Sequence, residues 1–128
     1  MTAYLDTMVA VWFVHENLRW RLSTAAKHTI AECETLLISP MTIYELKAVY
    51  RKKRMEKAPA EVLAALETFG GVGICTLSYK VVAMCAAEID WTTDPGVAMI
   101  VGQAMANGNA ALITSDRRIR EHYAPTIW

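Results

Sequence analysis

Cysteine is scarce and poorly placed for chemistry. Cys33, Cys75 and Cys85 form an odd, widely spaced set without a C-x-x-C pair. That spacing argues against a disulfide framework, a zinc site or a thiol nucleophile, and it suits a reduced cytoplasmic compartment. Histidine is equally sparse, and His15, His28 and His122 show no ligand spacing. Charge of one sign is not in excess, because thirteen basic residues offset thirteen acidic ones. No global field then draws the chain to nucleic acid or an anionic membrane, and any such contact must come from a local cluster. No apolar run approaches the roughly 20 residues needed to span a bilayer. No basic-then-apolar leader is expected at the N-terminus.

What is present is a globular composition. The 128 residues are 54% apolar and 20% charged, which excludes disorder and allows a sizeable core. One domain over residues 1–128 is expected, since no linker, repeat or composition break divides the chain.

The pattern alternates short apolar strands with helices. Ala3-Tyr4-Leu5 reads as a strand, followed by the apolar stretch Met8–Val14 and a helix opened near Ser23. Thr35–Ile38 is a second strand, short and apolar on both faces. Ser39-Pro40 then starts a helix from Met41 to about Met55, with Ile43, Leu46, Val49 and Tyr50 on one face. Further helices are expected over Ala60–Phe69, from Ser78 or Tyr79 to about Ile89, and from Pro95 to Ala106. Strands are expected over Val72–Leu77, Ala110–Ile113 and Pro125–Trp128, with a short basic helix before the last. This order predicts a mostly parallel sheet covered on both faces.

In such a sheet the carboxyl edge gathers side chains from distant positions. Asp6 follows the first strand and Asp116 the fourth. Glu45 lies in the first turns of the helix leaving the second strand, and Asp94 opens another helix. Converging carboxylates repel unless a cation neutralises them, and hard oxygen ligands suit Mg²⁺ or Mn²⁺. Such an ion supports phosphodiester hydrolysis. Each acid also has a plain structural reading. Asp6, Asp94 and Asp116 can each cap the helix that follows, and Glu45 stands at capping-box spacing from Thr42. A receiver-like phosphoacceptor domain is a poorer fit, because no paired acids flank Asp6.

The ordered set Tyr4-Leu5-Asp6-Thr7, Ser39-Pro40-Met41-Thr42-Ile43-Tyr44-Glu45-Leu46, Asp94-Pro95, Gln103-Ala104, Leu112-Ile113-Thr114-Ser115-Asp116, Tyr123 and Pro125-Thr126-Ile127-Trp128 resembles the PIN domain. In particular it resembles the VapC-type toxins of bacterial toxin–antitoxin modules. The likeness spans the chain. It implies a three-layer α/β/α sandwich and a Mg²⁺- or Mn²⁺-dependent endoribonuclease. It also implies a homodimer and a small antitoxin protein that blocks the site. The family's first, second and last acids fall on Asp6, Glu45 and Asp116, and its site hydroxyls on Thr7 and the Thr114-Ser115 pair.

One position departs from the family pattern. The family commonly reads Asp-Pro-Phe-Asp-Arg, with the second Asp as its third acid; here the run is Asp94-Pro95-Gly96-Val97-Ala98. Val97 stands in the acid's place, and Asp94 lies roughly 4.5 Å away along a helix axis. Two outcomes follow: Asp6, Glu45 and Asp116 hold the metal with Asp94 behind them, or the protein is a catalytically impaired binding or regulatory module.

Two basic clusters could guide an RNA backbone. Arg51 and Lys52 lie among the cations following Glu45, and Arg117 and Arg118 follow Asp116 with Ser115 beside them. For the first cluster a solvated helix end is an equal reading. Trp12, Phe13, Trp20 and Tyr44 are candidates for the core or for a partner-facing patch.

Overall fold

A computed structural model describes all residues 1–128. Five strands form one sheet: β1 (Thr2–Leu5), β2 (Thr35–Ile38), β3 (Val72–Ile74), β4 (Ala111–Ile113) and β5 (Thr126–Ile127). Their order is β3-β2-β1-β4-β5, and every pairing is parallel. The helices are α1 (Thr7–Val14), α2 (Thr24–Glu32), α3 (Pro40–Arg51), α4 (Pro59–Gly70), α5 (Tyr79–Ala87), α6 (Pro95–Ala106) and α7 (Arg117–His122). A 3-10 segment, Glu16–Arg21, links α1 to α2. No helix is long and apolar enough to cross a membrane.

Alternation along the strands builds two cores, one on each face of the sheet. Ala3, Leu5, Leu36, Ile38, Val72 and Ile113 pack with Val9, Val11, Leu46, Val62 and Leu66 from α1, α3 and α4. Tyr4 and Leu112 point the other way, onto Ile100, Val101 and Ala104 of α6 and Ile119 of α7. The result is the expected three-layer α/β/α arrangement. Completely buried side chains such as Leu46 and Leu66 each contribute about 1.5–3 kcal/mol by leaving water.

Polar ties then fix the layers. Asn107 Nδ2 at the end of α6 donates to the Tyr4 hydroxyl at 2.9 Å, and that hydroxyl donates to Cys75 Sγ at 3.0 Å. This chain joins β1, α6 and the residue after β3. Helix α6 runs close to α5 because Gly102 has no Cβ; one built there would stand 2.9 Å from the backbone nitrogen of Ala86.

Helix ends follow their caps. Ser23, Ser39, Ser78, Asp94 and Asp116 each accept a backbone N–H of the first turn. Several expected elements are shorter than the pattern suggested, among them β5, which keeps only Thr126–Ile127 of Pro125–Trp128, and α3 and β3. Helix α3 stops at Arg51 instead of near Met55, because Lys53 takes a left-handed φ of 57°. Lys53 N then donates to Tyr50 O, and Arg54 N to Val49 O, closing the turn. Strand β3 ends at Ile74 instead of Leu77, level with Ile38, where its neighbour β2 also ends.

Candidate active site

The sheet reverses its winding between β1 and β4, which pair side by side although most of the chain separates them. Ligand crevices form outside the carboxyl ends of strands at such a point. An open cleft of about 260 Å³ lies there, lined by Asp6, Thr7, Glu45, Lys52, Arg54, Val97 and Asp116 among others. Sequence positions from four separate stretches are thereby brought together.

Asp6 caps α1, and its Oδ1 accepts from Thr7 N at 2.8 Å. Its Oδ2 accepts from the buried Thr114 hydroxyl at 2.6 Å. That hydroxyl oxygen in turn accepts Asp116 N at 3.0 Å. Burial pushes the Asp6 carboxyl above the usual carboxylate range, with the Asp116 charge adding to it, against the two donors.

Glu45 projects from α3, and its Oε1 accepts from the Thr7 hydroxyl at 2.6 Å. The Thr7 and Thr42 hydroxyls lie 3.0 Å apart, both buried. A hydroxyl has a single proton, and Thr7 gives its own to Glu45, so Thr42 donates to Thr7. Glu45 is also raised, first by burial and then by the charges of Asp6 and Asp94. Its other oxygen rests over Gly96 so closely that a Cβ there would collide with it.

Asp94 does not line the cleft. Its Oδ1 accepts from Gly96 N at 2.8 Å and Val97 N at 3.1 Å, so it caps α6. Its charge still reaches Glu45. Val97 itself forms part of the cleft wall. Asp116 serves two purposes, capping α7 through Ile119 N at 3.0 Å and facing the cleft.

The basic candidates divide. Lys52 lines the cleft, Arg51 does not, and Arg54 joins Lys52 there because the turn at Lys53 swings it round. Arg118 is occupied elsewhere: its Nε donates to Trp91 O at 2.7 Å, tying α7 to the segment before α6. Arg117 pairs with Glu121 at 3.1 Å and lines a different cleft. Ser115 is half-buried outside the acid cleft, while its neighbour Thr114 makes the contact with Asp6. Thr42 escaped the sequence reading as a site residue, although its i, i+3 spacing from Glu45 places both on one helix face.

The donor set suits a divalent cation of the Mg²⁺ or Mn²⁺ kind. All cleft donors are hard oxygens, and no acid among them has a basic partner, since the one ion pair is Arg117–Glu121. No three Asp, Glu, His or Cys side chains stand close enough to cage a metal by themselves. An ion here would take one or two carboxylates and complete its shell with water, as Mg²⁺ commonly does.

An all-parallel α/β domain with an acidic crevice at its winding reversal is thus the class defined by fold and site. The family model for the PIN domain matches residues 3–125, and the chain belongs to the PIN domain family. Among solved structures it is similar to VapBC2 from Rickettsia felis bound to a DNA fragment from its promoter, with TM-score 0.64 and 18% identity. That match covers 98% of this chain and 96% of the other. It is also similar to DNA-bound VapBC from Salmonella typhimurium, with TM-score 0.56 and 23% identity, covering 98% and 95%. No curated protein matches the sequence.

Proposed function

We propose that this chain is a divalent-metal-dependent endoribonuclease, the toxin of a toxin–antitoxin module working in the cytoplasm. The observation that carries the reading is the convergence of Asp6, Glu45 and Asp116 on one cleft with no basic partner. The PIN family membership supports nuclease chemistry. The likeness to VapBC complexes, both bound to DNA, supports an antitoxin partner, and a homodimer is part of the same proposal.

Asp6, Glu45 and Asp116 would share the holding of Mg²⁺ or Mn²⁺, one or two of them directly and the rest through water in its shell. That ion would supply a lowered pKa for water and neutralisation of charge on the phosphate oxygens. The protein's own part is orientation. Thr7 and Thr114 hold Asp6, and Thr7 holds Glu45, so two carboxylates are fixed before substrate arrives. Lys52 and Arg54 on the cleft rim would take the phosphates flanking the scissile bond.

A second reading has an observation of its own. Val97 presents an apolar wall where the family carries an acid, and the remaining acids form no closed cage. On that reading the protein binds antitoxin or RNA without cutting. Incubation of purified protein with tRNA and rRNA under saturating Mn²⁺ separates the two. The nuclease reading expects discrete cleavage abolished by Asp6→Ala. Intact RNA at saturating metal overturns it in favour of the binding module.

A further inference from the structure

The sheet edge formed by β5 carries a second surface that the acid cleft does not use. Arg21 closes the 3-10 segment, and its guanidinium lies 4.9 Å from the Trp20 ring centroid and 5.8 Å from that of Trp12. Trp12 and Trp128 follow, with centroids 6.0 Å apart and planes tilted by 51°. Trp128 then shares an open cleft of about 490 Å³ with Arg117, Arg120, Glu121 and Thr126. Aromatic rings and guanidinium groups therefore run in one continuous series, Trp20, Arg21, Trp12, Trp128 and on to Arg117 and Arg120.

Part of this series serves the fold, because Trp12 and Trp128 are half-buried against the main core. Trp20 does not, since 71% of it is exposed. Arg21 covers only part of that indole, which leaves ring surface open for a base to stack on. Three guanidiniums against one carboxylate, Glu121, give the strip a positive bias. The series reaches the start of α7, where Arg117 is one residue along the chain from Asp116 of the acid cleft.

We infer that the β5 edge is a stacking track for single-stranded RNA that feeds the acid cleft, with bases on Trp20, Trp12 and Trp128. Planar side chains receive bases of any sequence, and arginines between them meet the phosphates. Track and cleft then divide the labour: the track selects for unpaired RNA, and the acids act on the phosphodiester delivered to them. The link to cleavage rests on the nuclease reading above; the binding itself does not.

The test is fluorescence anisotropy of a short labelled oligouridine with the full chain, in EDTA so that no metal contributes. Trp20→Ala and Arg21→Ala should each weaken binding about tenfold, and Trp20→Phe by about threefold or less. Arg120→Gln should lower the slope of log K against log salt by about 0.7. Trp20 and the arginines are exposed, and unchanged melting of the variants confirms folding. Wild-type affinity in all of these variants overturns the track, as does a wild-type protein that binds no RNA. Variants that keep RNA affinity but lose self-association or a protein partner also overturn it, marking the strip as a protein contact. Cleavage of the RNA panel with wild-type affinity in the track variants sinks the track alone. RNA binding that depends on Trp20 and Arg21, without cleavage under Mn²⁺, sinks the nuclease reading alone.

Discussion

The hydroxyl of Thr7 donates to Oε1 of Glu45 across 2.6 Å, joining the first turn of α1 to the second turn of α3. The same residue gives its backbone N–H to Asp6. One threonine thus orients two of the three carboxylates in the cleft. Replacing it by valine keeps the volume and removes the donor. Thr7→Val should raise the Glu45 pKa further, since that hydrogen bond is what opposes burial. It should also leave the Thr42 hydroxyl without its acceptor, costing about 1–3 kcal/mol. Thermal melting reads the stability loss, and Mn²⁺ titration reads the loss of order at the site. Unchanged melting and metal affinity would show that Thr7 holds nothing in place.

Gly96 gives a sharper test of where the Glu45 carboxylate lies. Glycine near the start of a helix ordinarily gains stability when changed to alanine, by about 0.4–1 kcal/mol. Here an added Cβ collides with Glu45 Oε2. Gly96→Ala should therefore be less favourable in the native protein than in a Glu45→Ala background, where only Asp94 Oδ1 at 3.2 Å stays near the added carbon. A double-mutant cycle measured by urea unfolding checks this difference. The same effect in both backgrounds would place the carboxylate elsewhere.

The acid cleft should make stability depend on pH in a defined direction. Asp6 and Glu45 both have folded pKa values above their ordinary ones. The native state then keeps protons that the unfolded chain has released. Their contribution is most favourable below the unfolded carboxylate range, near pH 4. It is lost as pH rises through the folded values. Melting temperature followed upward from about pH 4 should carry this loss, and Glu45→Gln should flatten it. Saturating Mg²⁺ should flatten it too, by supplying the missing positive charge. A slope untouched by both changes would remove these two acids as its source.

Much of this was legible in the sequence, for local reasons. The caps at Ser39, Asp94 and Asp116 are short-range signals, and Pro95 and Asn107 bracket α6 where expected. The convergence of Asp6, Glu45 and Asp116 follows from parallel strands sharing one carboxyl edge. The overextended α3 has a definite cause: Arg51–Arg54 are good helix formers, and a left-handed lysine replaces the usual terminal glycine. Contacts between distant elements left no local trace. Nothing near Arg118 announces the Trp91 carbonyl, and nothing near Thr42 announces Thr7.

Val97 sits on the cleft wall, so an acid introduced there would face the other three carboxylates. Val97→Asp should lower stability without metal, through added like-charge repulsion. With metal it should tighten Mn²⁺ binding by about tenfold, or roughly 1.4 kcal/mol. It should raise RNA cleavage in step. No gain in affinity would mean that the native three-acid cleft already meets the ion's needs.

Mn²⁺ titration by calorimetry, on the wild type and on Asp6→Ala, Glu45→Gln and Asp116→Asn separately, addresses the shared role of the three acids most directly. One ion per chain is expected, weakened about tenfold or more by each substitution, since each removes a charge from a common oxygen-lined site. Unaltered Mn²⁺ affinity in any two of the three variants would contradict a joint site.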